Sequence, residues 1–163
     1  MFKVKRKSRF IYILLGCFIS LPLYADSEKI DTSQIVGKWQ CNERLDYMGY
    51  DAQTSMQSVF LEKGEYSESS TSRLKNETEV ANFNASSTAK WKINGSVLSI
   101  EENRLESFET DNELLTKKLN IQTFLNDPDS LEFVIKKLTS SEMVLNLFIF
   151  ETEIENIARI CTR

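Results

Sequence analysis

The residue types that could carry out chemistry in this chain are few. The chain contains no histidine, so the commonest general base and the commonest metal ligand are both missing. Outside the N-terminal segment, the only cysteines are Cys41 and Cys161, and neither can act as a nucleophile if they are oxidised to a disulfide. The glycines are isolated, so no phosphate-binding loop is present. These features predict a protein without a catalytic, metal or cofactor site.

Acidic residues form three short clusters, at Glu101-Glu102, at 127–129 and at 151–155. Paired carboxylates could serve a glycosidase or bind calcium. Acidic side chains are rarely buried without a partner, so we interpret the clusters as solvated surface. The alternative is an acidic edge, at Glu101-Glu102 or along 151–155, that contacts a basic protein partner.

Residues 1–25 have the three parts of a secretory signal: a basic start, an apolar core and a small residue, Ala25, at the cleavage position. The core is shorter than the ~20 apolar residues of a membrane span, which disfavours an uncleaved anchor. Leu14-Leu15-Gly16-Cys17 resembles a bacterial lipobox, but the residues after Cys17 are apolar, unlike the polar tether of mature lipoproteins. We therefore expect a periplasmic or secreted protein, with membrane attachment only if Cys17 is lipidated.

Removal of the signal leaves an acidic chain. Five of the 20 basic residues lie in residues 1–25, so the remaining 15 basic and 24 acidic residues give a formal charge of −9. Such a surface repels nucleic acid and anionic lipid, and we exclude nucleic acid as a partner. The length predicts a single domain, 35–163, after a disordered polar lead-in, 26–34.

The elements that must position the remaining residues are mostly short strands. The predicted strands cover 35–45, 53–62, 65–74, 91–93, 97–100, 131–138, 143–150 and 155–162. The polar stretch 75–87 is predicted to continue the preceding hairpin and then form a loop. Asn94-Gly95 is predicted to form a type I′ turn that brings Trp91, Ile93 and Val97 to one face.

One helix is predicted near residues 112–125. Thr110-Asp111-Asn112-Glu113 matches a capping box, and a breaker cluster follows Leu125. A strand over 117–124 is the alternative. Hairpins in series with a late helix predict an all-β, antiparallel meander.

Cys41 and Cys161 lie in the first and the last predicted strand. Two cysteines in an exported chain predict one disulfide, and two free buried thiols are the alternative, because pairing requires Cα atoms within about 7 Å. A Cys41–Cys161 disulfide makes the first and last strands neighbours, so it predicts that the sheet closes.

Gly37-Lys38-Trp39 in the first strand resembles the Gly-x-Trp that opens lipocalins and bacterial lipocalin-like domains. Lys63-Gly64-Glu65-Tyr66, the hairpin at 91–95 and the segment 135–145 also fit that group, so the resemblance extends over nearly all of 35–163. It implies an up-and-down barrel of about eight strands with an open mouth, in which Trp39 packs at the closed end.

The chain also departs from the lipocalin pattern. No second motif is found, and neither Arg159 nor Arg163 lies in a recognisable third motif. The predicted helix precedes the last strands, whereas lipocalin helices usually follow the barrel.

Aromatic residues on the predicted strands are the candidates for binding. Phe60, Trp91, Phe133 and Phe148 are predicted to line a cavity for a small apolar ligand, and the alternative is that they fill the core. We predict an exported, non-enzymatic lipocalin-like domain that binds such a ligand. The alternative function is a periplasmic protein-binding module, or an inhibitor of a basic enzyme, because a charge of −9 steers basic partners towards the chain.

Overall fold

We describe a computed structural model of the chain, covering residues 30–149 and 152–163. The predicted signal, 1–25, and the first part of the lead-in lie outside the described residues. A 3-10 turn, Thr32–Gln34, precedes ten elements: β1 Gly37–Tyr47, β2 Tyr50–Phe60, β3 Glu65–Lys75, β4 Val80–Asn94, β5 Val97–Thr110, α1 Glu113–Lys118, α2 Ile121–Leu125, β6 Leu131–Leu138, β7 Glu142–Ile149 and β8 Thr152–Thr162. None of the helices in these two described ranges is long and apolar enough to cross a membrane.

The eight strands form one closed antiparallel barrel in which each strand pairs with its neighbours in the chain and β8 returns to β1. This confirms the predicted all-β meander and its closure. Closure pairs the edges that an open sheet would expose, which removes a site of aggregation.

Cys41 and Cys161 lie directly opposite each other in the β1–β8 pair, with their Cα atoms 3.9 Å apart. They form a disulfide, and both residues are fully buried. The predicted pairing is therefore confirmed, and the alternative of two free thiols is wrong.

Closure is limited to one end of the barrel. β1 pairs with β8 only over Gln40–Glu43, and β5 pairs with β6 only over Val97–Ile100. We call the end with these pairings, where β1 begins and β8 ends, the closed half. At the other end, the covered half, the upper parts of β1 to β5 form a curved sheet and the helices α1 and α2 cover it.

An apolar cluster fills the closed half. It contains residues from most strands of the barrel, and both cysteines belong to it. Its fully buried large side chains include Trp39, Phe60, Leu98, Phe133, Met143 and Leu145. Alternation along the strands directs these residues inwards.

A second apolar cluster joins the helices to the covered half. Leu115, Leu119 and Ile121 from α1 and α2 are buried against strand residues Tyr50, Ala52, Leu74, Ala81 and Phe83. The helical segment is also held by hydrogen bonds: the Asn103 side chain donates to the Leu125 carbonyl at 2.6 Å, and the Tyr47 hydroxyl to the Leu119 carbonyl at 3.2 Å.

Three predictions about β4 and the turn that follows it are wrong. Residues 80–87 are the first half of β4, because Ala81, Phe83 and Ala85 alternate inwards between exposed or half-buried polar residues. The β4–β5 turn is Gly95-Ser96, with positive φ only at Gly95, which fits a type II′ turn. This shift by one residue pairs Val97 with Asn94, so Val97 is not on the Trp91 face.

The predicted single helix is two short helices. Asn120 adopts a left-handed conformation, with φ 52°, which ends the first and begins the second. The cap of α1 is Asn112, whose side chain accepts a hydrogen bond from Leu115 N at 3.1 Å, so the capping box at Thr110 is wrong.

Candidate functional site

The four aromatic residues predicted to bind a ligand do not form one site. Phe60 and Phe133 are buried in the closed-half cluster, and Trp91 packs beside them with its ring 5.7 Å from that of Phe60. Phe148 pairs with Glu132 and is off this inner face, because its neighbour Leu147 pairs with Phe133. The first three therefore contribute to the packed core of the closed half.

Between the two apolar clusters, the inner wall of the barrel is polar and built from small residues. The register sets Ser58, Glu68 and Ser87 in one inward row, because Ser58 pairs with Glu68 and Glu68 with Ser87. In the next rows Met56, Ser70 and Ala85 are paired, and then Glu43, Thr54 and Ser72. Residues paired in this way share a face of the sheet.

Several of these inward residues are half-buried although they face the inside of the barrel. Their residual exposure means that water-sized space remains beside them inside the barrel. We call this region the central chamber, and it is lined by Glu43, Thr54, Glu68, Ser70, Ser87 and Arg159.

A charged cluster lies at one side of the central chamber. Arg159, only 9% exposed, donates from Nε to Glu43 at 2.9 Å and from Nη1 to Glu68 at 3.2 Å. Its guanidinium carbon lies 4.8 Å from the centre of the Phe133 ring, a cation–π contact. Three strands, β1, β3 and β8, therefore meet at one buried arginine.

Tyr66 and Ser58 extend this cluster towards the closed half. The Tyr66 hydroxyl donates to Glu68 and lies 3.1 Å from the Ser58 hydroxyl, which also donates to Glu68 at 3.2 Å. Burial, and then the Glu68 carboxylate, raise the pKa of Tyr66 well above its usual value, so the hydroxyl stays a donor. Burial opposes the charge of Arg159, but the carboxylates of Glu43 and Glu68 outweigh it and raise the pKa of the guanidinium.

An opening adjoins the covered half. A cleft of about 640 Å³ lies between the helical segment and β5, and its lining includes Phe108, Thr110 and Thr116. Phe108 pairs with Ala85 and Thr110 with Phe83, so both lie on the inner face of β5. The cleft occurs where β5 has no β6 partner.

The two residues with a predicted structural role, Gly37 and Trp39, meet the last residue of the chain. The guanidinium of Arg163 lies 4.0 Å above the Trp39 ring and donates to the carbonyls of Gln34 and Val36 at 2.8 and 2.6 Å. Gly37 has φ 127°, and a Cβ there would lie 3.3 Å from Arg163 Nη2. This contact closes the base of the closed half.

Two of the acidic clusters singled out from the sequence contain residues that are paired on the surface. Glu101 and Glu102 form ion pairs with Lys92 and Lys90 across the β4–β5 ribbon. Glu153 accepts hydrogen bonds from Lys136 and Asn146. Within residues 30–149 and 152–163, no His, Cys, Asp and Glu side chains are grouped so that they could hold a metal ion.

Exposed apolar side chains occur at the covered half and, at Leu61, Leu131, Ile149 and Ile160, elsewhere on the barrel. Leu114 is 84% exposed, Met48 69% and Phe124 56%, and Val80 is also exposed. Met48 follows Tyr47, whose ring contacts Phe124 at 5.5 Å.

The charged residues of the central chamber were missed by the sequence analysis. Glu43 lies four residues after Trp39 and two after Cys41, and Arg159 lies two before Cys161, so alternation alone directs both inwards. That alternation was the available signal for a buried charged pair.

No family model and no curated protein matches the chain. Among solved structures, the chain is similar to a lipocalin-like protein from Bacteroides uniformis, with 18% identity, a TM-score of 0.42, and coverage of 80% of this chain and 98% of that one. The barrel of eight consecutive antiparallel strands has the up-and-down topology that the sequence resemblance implied.

Proposed function

We propose that this chain is an exported, non-enzymatic binding protein that holds a small ligand in the central chamber. The observation that supports it is the set of inward residues, among them Glu68 and Ser70, that remain accessible between two apolar clusters. Small side chains on β3 and β4 line this level, and we place the entry of the ligand at the cleft beside β5. Ligand pockets generally combine apolar walls with a few placed polar groups.

This proposal moves the ligand from the aromatic residues to the level above them. Phe60 and Phe133 form the floor of the barrel interior, where both belong to the same buried apolar cluster. The apolar part of a ligand then contacts the covered-half cluster, which includes Leu74 and Phe83.

A substitution on the wall of the central chamber tests this proposal by reducing the space inside it. Ser70→Leu adds an apolar side chain inside the barrel, while Ser69→Leu adds the same side chain on the outer face of the same strand. We expect Ser70→Leu to abolish binding of small lipophilic probes, measured by tryptophan fluorescence and calorimetry, and Ser69→Leu to leave it unchanged. Circular dichroism verifies that both variants fold, and equal binding by both would reject the proposal.

The alternative function, a protein-binding module for a basic partner, has its own support. Leu114, Met48 and Phe124 are exposed at one end of the barrel, and apolar groups exposed together mark interaction surfaces. Acidic residues that have no ion pair within the described ranges, including Asp46, Glu113 and Asp127, lie within three residues of them in the chain. The paired acids Glu101 and Glu102 are less suited to such a role.

Inhibition of a panel of basic hydrolases, including a lysozyme, tests this second function. Leu114→Ser with Phe124→Ser is expected to abolish salt-sensitive binding and inhibition. The control is Leu61→Ser, because Leu61 is 48% exposed at the opposite end of the barrel. Equal loss in the control, or no inhibition by the parent protein, would reject the second function.

A further inference from the structure

We infer that the ligand of the central chamber is a small organic cation, carried on an apolar body, rather than a fatty acid. This inference rests on the proposed binding function and specifies its ligand class. It follows from the charge balance and the unused hydrogen-bonding atoms around Arg159.

The charged cluster carries an excess of negative charge. One guanidinium, Arg159, faces two carboxylates, Glu43 and Glu68, so the formal charge is −1. The carboxylates are 14% and 19% exposed, so a ligand that enters the chamber approaches charges that water screens only weakly. An anionic head group is repelled there, and a cationic head group neutralises the cluster.

Three polar atoms of the cluster have no partner within the described ranges. Arg159 donates one hydrogen bond from Nε to Oε2 of Glu43 and one from Nη1 to Oε2 of Glu68. Nη2 of Arg159 and Oε1 of each glutamate are left over. The described residues contain no buried polar side-chain atom that lacks a partner, so these three atoms are accessible to solvent.

These atoms define the recognition chemistry. Two carboxylate oxygens accept hydrogen bonds from the N–H groups of an ammonium or amidinium ion, and such charge-assisted bonds are the stronger ones. Nη2 donates to a hydroxyl or carbonyl oxygen next to the cation. The apolar body of the ligand extends from the cluster towards Leu74 and Phe83.

The experiment compares three probes with the same chain: octylammonium, octanol and octanoate. Calorimetric titration at low salt is expected to show octylammonium binding at least about tenfold more tightly than octanoate, with octanol between them. In Glu68→Gln and in Glu43→Gln the formal charge becomes zero, and the preference for the cation is expected to fall about tenfold.

The control variant is Glu106→Gln. Glu106 lies on the outer face, where it accepts a hydrogen bond from Thr88, so its removal changes the net charge equally without changing the chamber. We expect this variant to keep the parent's preference. A parallel loss in Glu106→Gln would assign the preference to overall charge and overturn the inference.

The possible failures are distinguishable. Octanoate binding as tightly as octylammonium overturns the cation inference and leaves the binding function standing. Absence of binding by all three probes overturns the proposed binding function and this inference together. If Glu68→Gln is unfolded by circular dichroism, Glu43→Gln alone decides the outcome.

Discussion

The two halves of the barrel are stabilised in different ways. In the closed half, eight strands pair around a continuous apolar core and a disulfide joins the first strand to the last. In the covered half, two short helices replace the missing strand pairs, and they are held by a smaller cluster and by asparagine side chains. The comparison indicates that the covalent and strand-pairing constraints are concentrated where β1 meets β8, and that the covered half depends on the packing of the two helices.

The largest expected effect tests the closed half directly. Replacing both cysteines, Cys41→Ser with Cys161→Ser, removes a cross-link over 120 residues and is expected to lower the free energy of unfolding by about 4–5 kcal/mol in the loop-entropy model. Urea unfolding of the variant and of the parent measures it. An unchanged midpoint would show that strand pairing alone closes the barrel.

A second prediction concerns the boundary between the halves. Arg159→Met leaves the carboxylates of Glu43 and Glu68 without their counter-ion, and we expect a loss of about 3 kcal/mol of unfolding free energy. Lys136→Met removes an exposed partner of Glu153 and is expected to cost less than about 1 kcal/mol. Similar losses in the two variants would contradict a buried role for Arg159.

A third prediction compares matched leucines. Leu145 in β7 is 1% exposed and Leu115 in α1 is 2% exposed, so truncation to alanine removes the same atoms from equally buried sites. We expect Leu145→Ala to lower the free energy of global unfolding by about 2–5 kcal/mol. Leu115→Ala is expected to cost less and to increase hydrogen exchange mainly in the helical segment, because that segment opens locally. Uniform exchange throughout the barrel in Leu115→Ala would abolish the distinction between the halves.

The smallest effect is a pH dependence of the covered half. The side chain and then the backbone N–H of Asn82 donate to Asp111 and hold the pKa of its carboxyl below its usual value. A carboxyl whose pKa is lower in the folded state than in the unfolded state stabilises the protein at any pH above the unfolded-state pKa. This contribution is lost as the pH falls below about 4. We expect Asp111→Asn to lower the melting temperature slightly at pH 7, with the difference shrinking in acid. A difference independent of pH would reject the charged contact.

Most of the closed half could be predicted from the sequence, because its strands alternate strongly and two of its three turns carry glycine. The first half of β4 could not, since Ala81, Phe83 and Ala85 alternate with asparagine and serine, which are poor strand formers. The upper part of β5 is likewise polar, and its strand conformation depends on its pairing with β4. The local sequence does not indicate that β5 pairs with β4 over this length.

The candidate site was less predictable than the fold. Aromatic residues indicated an apolar pocket, but the closed half packs three of them tightly, and packing density is not visible in a sequence. The chamber depends instead on small residues such as Ser70 and on the meeting of Glu43, Glu68 and Arg159 from distant parts of the chain. Only the register of the strands brings those three together.

The contact of Arg163 with Gln34 and Val36 also fixes where the described chain enters the domain. Because Arg163 donates to both carbonyls, the segment before β1 and the end of β8 lie side by side at the base of the closed half. The cleft beside β5 and the exposed Leu114 lie at the opposite end of the barrel from this entry point.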